Sequence, residues 1–195
     1  MADWKELEKT CFIFPRVELE MEDLFHKGLI LDIAGGGEGV IGQLMGEKVI
    51  AIDNQKRELL EAAEGPLKII MDARELKFLD ECFQVVTAFF AFMYIKSEED
   101  QLKIFQEVHR VLKPGGVFHI WDIDIFDLPE TDKDVYILHL IYKIRGESKE
   151  TGYGMPKLEK PRGLQYYQDM ARKAGFKEKN SEMIDHTFYS QLQKE

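Results

Sequence analysis

The stretch LDIAGGGEGVIGQL, residues 31–44, places five glycines within eight positions between two apolar runs. Glycine weakens the interior of a helix or strand, so this density belongs to a turn. The run before it, GLILDIA (28–34), reads as a strand, and the segment after it reads as the start of a helix. Glycines there admit positive φ and let backbone approach a ligand without a β-carbon in the way. The N–H groups at the helix start can then meet an anionic group or a carboxylate.

Further short apolar runs follow: KVIAID (48–53), LKIIMD (67–72), FQVVTAFFAF (83–92) and GVFHIWD (116–122). They are rich in Val, Ile and Phe and apolar on both faces, as expected of strands buried in a parallel sheet. The segments between them read as crossover helices. NQKRELLEAAEG (54–65) is rich in helix formers and stops at Gly65–Pro66. SEEDQLKIFQEVHRVLKPGG (97–116) has Ser97 as a cap and Glu98, Glu99 and Asp100 in its first turn. Leu102, Phe105, Val108 and Leu112 then form one apolar stripe, and Lys113-Pro114-Gly115-Gly116 ends the helix. This alternation predicts a doubly wound α/β sheet.

After Asp122 the pattern changes. DIDIFDLPETDKD (122–134) is acidic and turn-rich, VYILHLIYKI (135–144) reads as a strand, and 145–163 reads as a long loop. LQYYQDMARKAGF (164–176) reads as a helix with Gly175 as its C-terminal cap. Residues 177–184 and 185–194 are expected to pair as an antiparallel hairpin at the sheet edge.

Composition narrows the functions available. A net charge of −10 opposes a general grip on nucleic-acid phosphates. The two cysteines, Cys11 and Cys82, lie far apart, which gives neither a disulfide framework nor metal-ligand spacing. The start, MADWKELEKT, lacks the apolar core of a signal peptide. The apolar stretch 85–95 is well short of the ~20 residues that span a bilayer. The expectation is a cytoplasmic protein that binds neither membrane, metal nor nucleic acid.

The glycine turn fits more than one template. Gly37 to Gly42 matches G-x-G-x-x-G, the dinucleotide fingerprint, with Asp53 following on the next strand. Gly35 to Gly39 matches G-x-G-x-G, the turn of S-adenosylmethionine-dependent methyltransferases. A tight turn with no ligand is the third reading. Asp53 can accept hydrogen bonds from both ribose hydroxyls of an adenosine, and it can also cap the following helix. Two further features discriminate: Asp72 in MDARELKFLDECF, and LKPGG (112–116) before the fifth strand.

In that order, over roughly residues 29–122, the sequence resembles the class I S-adenosylmethionine-dependent methyltransferases. LKFLDECFQVV (76–86) stands where that family carries a stretch like "LPF…D…FD". The resemblance implies a Rossmann-like, mostly parallel seven-stranded sheet with an antiparallel C-terminal edge hairpin. It implies S-adenosylmethionine as cofactor and in-line methyl transfer to an acceptor, with a small molecule the leading candidate. The residues it assigns to the cofactor are Asp32, Ala34, Gly35, Gly36, Gly37, Asp53, Asn54, Asp72, Ala73 and Phe90. It divides a single domain into an N-terminal helical lid (1–28), a cofactor-binding core (29–122), a variable substrate-side insertion (123–163) and a C-terminal helix and hairpin (164–195).

The match has one irregularity. The family places its first-strand acid two residues before the first glycine, whereas Asp32 lies three before Gly35, with Ala34 between. Either the loop has one extra residue or the glycines shift by one, and the role of Gly39 depends on which.

Methyl transfer from a sulfonium is mainly a matter of positioning, and a base is needed only if the acceptor must lose a proton. Candidates are His119, Asp122, Asp124 and Tyr94, each with a plain structural reading beside it, and no catalytic residue is assigned. Phe92 or Tyr94 is placed to face the methyl donor or acceptor. No NPPY-like motif follows the fourth strand, so amino-group methylation of nucleobases or glutamine gains no support. The alternatives are an NAD(P)-dependent oxidoreductase and a non-catalytic S-adenosylmethionine-binding protein.

Overall fold

The computed structural model describes residues 4–22 and 28–195. In chain order the first elements are α1 (Trp4–Leu7), β1 (Phe12–Ile13), β2 (Val17–Met21), β3 (Ile30–Ile33) and α2 (Val40–Met45). Then come β4 (Val49–Asp53), α3 (Lys56–Glu61), β5 (Leu67–Ile70), β6 (Phe83–Phe89), α4 (Glu98–Val111) and β7 (Leu112–Ile123). The chain ends with β8 (Val135–Ile144), β9 (Glu147–Pro156), α5 (Leu164–Lys173), β10 (Phe176–Ile184) and β11 (Thr187–Lys194).

Seven strands form the main sheet in the order β10-β11-β7-β6-β3-β4-β5. β3 pairs in parallel with both β4 and β6, and β11 runs antiparallel to β7 and β10, so the expected edge hairpin is present. β3 is the point from which the chain winds outward in both directions, where ligands of open α/β sheets gather.

The two faces of the sheet are covered differently. On one, Val86, Phe118 and Ile120 pack against Phe105 and Val108 of α4 and Tyr167 and Met170 of α5. The stripe of α4 is rotated from expectation: Ile104 and Val111 are buried and Leu102 is half-buried. Ser97 caps this helix, its hydroxyl accepting the Asp100 N–H at 3.2 Å. The helix stops at Val111 and LKPGG is already extended, because proline lacks an N–H and drives the preceding residue out of helical geometry.

The other face carries α2 and a second, smaller sheet. β8 is its centre, β9 flanks one edge antiparallel, and β1 and β2 succeed one another along the other edge in parallel. Leu138, Leu140 and Tyr142 of β8 pack with Val40 and Ile41 of α2 and with Val85 and Trp121 of the main sheet.

This layer corrects two expectations. The helical lid of residues 1–28 is one helical turn at Trp4–Leu7 followed by two strands, with residues 1–3 and 23–27 outside the described residues. VELEM alternates buried and exposed positions, which is a strand period. The long loop over 145–163 is largely β9, joined to β8 by Arg145–Gly146, both at positive φ (52° and 84°) as a two-residue hairpin turn requires. β9 is mostly exposed and polar, so it carries no apolar alternation to read. Among the described residues, no helix is long and apolar enough to cross a membrane.

Candidate functional site

A cavity of about 920 Å³ opens at the carboxyl ends of β3, β4 and β6 and reaches beneath β9 of the small sheet. It lies at the upper end of the roughly 300–1,000 Å³ usual for small-molecule sites. All ten residues assigned to the cofactor from sequence line it: Asp32, Ala34, Gly35, Gly36, Gly37, Asp53, Asn54, Asp72, Ala73 and Phe90.

Ala34 has φ +54°, the left-handed conformation for which a glycine is the usual choice. An alanine two residues after Asp32 thus adopts a conformation that favours glycine. Gly35 and Gly36 serve close approach. A β-carbon on Gly35 would stand 2.6 Å from Asp32 Oδ2; one on Gly36 would stand 2.5 Å from Glu58 Cβ and 2.9 Å from Asp53 Oδ2. Gly37 (φ +56°) and Gly39 (φ +53°) supply positive φ, and Gly39 caps α2. Gly42 packs on Pro66 inside α2. The bare backbone at Gly36 beside the Asp53 carboxylate is a cradle that a β-carbon would fill, and it fits a nucleoside with hydroxyls to offer.

Asp53 Oδ1 accepts the Gln55 N–H at 2.8 Å, fixing a turn before α3, while Oδ2 faces Gly36. Asp72 is engaged by Arg74, whose Nη2 lies 2.6 Å from Oδ2 and whose Nη1 reaches Asp100 at 2.9 Å. Those hydrogen bonds hold the Asp72 carboxyl below the usual carboxylate range.

Asp32 is 2 % exposed and accepts the Thr87 hydroxyl at 2.6 Å. Burial pushes its carboxyl up to about 7, against the lowering effect of Thr87 and reinforced by the Asp53 charge. A carboxyl raised by folding stabilises the fold in its protonated form. That contribution is present below about pH 4 and is lost as pH rises through about 7. Asp32→Asn should therefore gain stability relative to the parent protein as pH rises from about 4 to above 7. Melting temperatures measured across that range check this, and parallel curves for the two proteins would refute it.

The turn Phe92–Tyr94 after β6 presents Tyr94 to the cavity. Polar side chains from β7, α4 and the segment before α5 hold it. Asp122 Oδ2 accepts the Phe92 N–H at 2.8 Å, Gln101 Nε2 donates to the Ile95 carbonyl at 2.7 Å, and Arg162 Nη1 donates to the same carbonyl at 2.7 Å. This separates the candidates for a base. Asp122 is fully buried, holds backbone N–H groups and does not line the cavity. Asp124 accepts the Leu164 N–H at 2.7 Å, starting α5, and His119 Nδ1 meets the Tyr189 hydroxyl at 2.8 Å on the sheet face. Of the four, Tyr94 lines the cavity, and Phe92 is buried behind it.

Among the lining residues that the sequence reading did not assign, two stand between glycines: Glu38 in Gly37-Glu38-Gly39 and Tyr153 in Gly152-Tyr153-Gly154. They meet in the cavity. The Thr151 hydroxyl donates to Glu38 Oε1, and burial together with the Glu38 carboxylate raises the Tyr153 hydroxyl well above its ordinary value. Tyr153 also stacks on Phe90 with ring centroids 5.5 Å apart. Gly152 is bare because the Trp4 ring lies against it, 2.8 Å from where its β-carbon would be. Trp4 in turn stacks on His139 at 3.9 Å. A single bulky residue between glycines was the available signal.

A parallel sheet wound about β3, a glycine turn at its carboxyl end and an acid on the next strand define a nucleoside-binding α/β fold. A structure of an S-adenosylmethionine-dependent methyltransferase from Mesorhizobium loti shares it, with a TM-score of 0.62 and 16% identity over 88% of this chain and 94% of that one. Residues 31–120 match a family model described as a methyltransferase domain. The match to the methyltransferase domain and the shared fold support a class I S-adenosylmethionine-dependent methyltransferase, a family whose cofactor is S-adenosylmethionine. The nicotinamide reading of the same glycines falls away. Similar proteins include a sterol 4-C-methyltransferase of Caenorhabditis elegans, 30% identical over 59% of this chain and 34% of that protein. Another is a mitochondrial 2-methoxy-6-polyprenyl-1,4-benzoquinol methylase of Rattus norvegicus, 27% identical over 87% of this chain and 53% of that protein. The chain thus spans about a third to a half of the length of these relatives.

Proposed function

We propose that the chain transfers the methyl group of S-adenosylmethionine to a small-molecule acceptor held beneath the small sheet. The observation that carries this reading is that the ten cofactor-side residues share one cavity with an aromatic compartment under β9. Asp53 takes the ribose hydroxyls, Asp72 and Ala73 the adenine edge, and the turn from Ala34 to Gly37 the amino-acid end. The cofactor, when bound, supplies a methyl group already activated on a sulfonium. What the chain adds is orientation and exclusion of water, by the glycine loop below and by Tyr153 and the turn at Phe92–Tyr94 above. The similar sterol and benzoquinol methylases support a small organic acceptor, and Cys11 and Cys82, both free, fit a reducing, cytoplasmic setting.

Calorimetric titration with S-adenosylmethionine, S-adenosylhomocysteine and NAD in parallel tests the reading; binding of NAD alone would overturn it. Release of S-adenosylhomocysteine with an acceptor separates an enzyme from a cofactor-binding protein. Asp53→Ala should weaken S-adenosylmethionine by the ~1–3 kcal/mol expected for lost hydrogen bonds to a charged group. An unchanged affinity would mean that Asp53 does no more than hold the Gln55 turn.

A further inference from the structure

The two ends of the cavity differ in chemistry. At the β5 end lie Asp72, Arg74 and Asp100, and Lys96 follows the Phe92–Tyr94 turn. These include the basic side chains of the described lining, and Arg74 is tied to two carboxylates. Beneath the small sheet, Phe89, Tyr94 and Tyr153 form an aromatic wall into which Glu38 sets a carboxylate. We propose that this second compartment is the acceptor subsite and that it takes a small amine, bound as a cation with its N–H groups on Glu38 and its charge against the rings. The proposal rests on the methyltransferase reading above and names its substrate class.

Glu38 is placed by construction. Left-handed glycines on both sides throw its side chain away from α2 and towards β9. There the Thr151 hydroxyl holds Oε1, while the Gln43 amide, itself held by Lys149, binds the Glu38 carbonyl. The Tyr153 hydroxyl hydrogen-bonds the same carboxylate, so an incoming N–H would share its oxygens with these two hydroxyls. Aromatic faces attract ammonium groups by about 0.5–2 kcal/mol, more as water is excluded. Burial keeps the Tyr94 and Tyr153 hydroxyls protonated, so the wall itself adds no negative charge.

Charge separates an amine from the other acceptor chemistries. A carboxylate or a phenolate would enter a cavity that also holds Glu38, Asp53 and Glu58, and would meet like charge. An amine enters as a cation, and its methylated product is again a cation. Before its lone pair is available the ammonium must lose one proton: the N–H bond breaks, its electron pair stays on nitrogen, and the proton forms an O–H bond on Glu38. The carboxylate that orients the amine is thus also the group that receives its proton.

A competing role for Glu38 is purely structural, tying the glycine loop to β9 through Thr151. Two variants separate them: Glu38→Gln keeps a hydrogen-bond acceptor but removes the charge, and Thr151→Val removes the tie but keeps the carboxylate. The full chain, saturated with S-adenosylhomocysteine, is titrated calorimetrically with benzylamine, benzyl alcohol and benzoate, which share a ring and differ in charge. Benzylamine is expected to bind at least tenfold more tightly than benzyl alcohol, and benzoate not at all. Glu38→Gln should cost benzylamine at least tenfold and leave S-adenosylhomocysteine within twofold, while Thr151→Val costs benzylamine less than threefold. The proposal fails if the alcohol binds as well as the amine, if none of the probes binds to the loaded protein, or if Glu38→Gln changes nothing. Equal losses in the two variants would leave Glu38 as a tie and overturn it as well. Failure to bind S-adenosylhomocysteine at the outset would strike the methyltransferase reading instead.

Discussion

Gly36→Ala is expected to lower S-adenosylmethionine affinity by at least about 100-fold, roughly 2.7 kcal/mol. The new β-carbon would stand 2.5 Å from Glu58 Cβ and 3.0 Å from the Glu58 carbonyl carbon, in the body of α3, where no flexible tip can yield. The loop must therefore move, and with it the hydrogen bond from the Gly37 N–H to the Glu58 carbonyl at 2.9 Å. It also shifts relative to Asp53 Oδ2, 2.9 Å from the same β-carbon, so the Asp53 carboxylate and the backbone beside it lose their registry together. Gly36 is not at positive φ, so the cost is one of space and not of backbone strain. Gly154→Ala is the control, because a β-carbon there meets nothing within 4 Å. Calorimetry on the three proteins decides the matter. Parent-like affinity in Gly36→Ala would mean that the ligand does not lie against this backbone.

The second large effect belongs to Asp122, which carries no chemistry and holds the site up. Its carboxylate is fully buried and accepts the N–H groups of Phe92 at 2.8 Å and of Ile123 at 2.9 Å. Alanine would leave these donors buried without a partner, each at about 1–3 kcal/mol. A loss of about 3–5 kcal/mol is expected, or roughly 10 °C in melting temperature at about 2–4 °C per kcal/mol for a chain of this size. Asp122→Asn keeps one acceptor and should lose less. Burial pushes the Asp122 carboxyl up to about 7, so the asparagine variant should lose less still above that pH, where the parent carries a buried charge. Calorimetric melting of both variants at pH 6 and pH 8 reads this out; an alanine variant as stable as the parent would sink it. Because Asp122 anchors the Phe92–Tyr94 turn, acceptor binding should loosen with it.

The main sheet was legible because its strands are apolar on both faces and separated by helix formers and stop signals. The small sheet was not. Its one apolar strand, Val135–Ile144, showed itself, but its partners are a polar hairpin arm at Glu147–Pro156 and the short acidic alternation VELEM. Neither buries enough on its own to leave a periodic apolar signal; they become strands by pairing with β8. The base candidates failed for a related reason. Asp122 and His119 sit at or near the end of the fifth strand of the core, where functional groups of such folds gather. Which face of the sheet a side chain takes, and what backbone waits there, depends on neighbours far along the chain.

The sequence alone determined the winding of the main sheet and the place of its glycine turn. Both depend on local signals: apolar runs of strand length, helix stops, glycine density, and acids at strand ends. The tertiary structure decided three things that no local pattern carries. It showed that Ala34, two residues after Asp32, adopts the left-handed conformation. It set Asp122 beneath a turn thirty residues away in sequence. And it brought Glu38 and Tyr153, each alone between glycines, to one compartment from opposite sheets. A residue between glycines announces unusual backbone, but where its side chain goes is settled by the surface that folds over it.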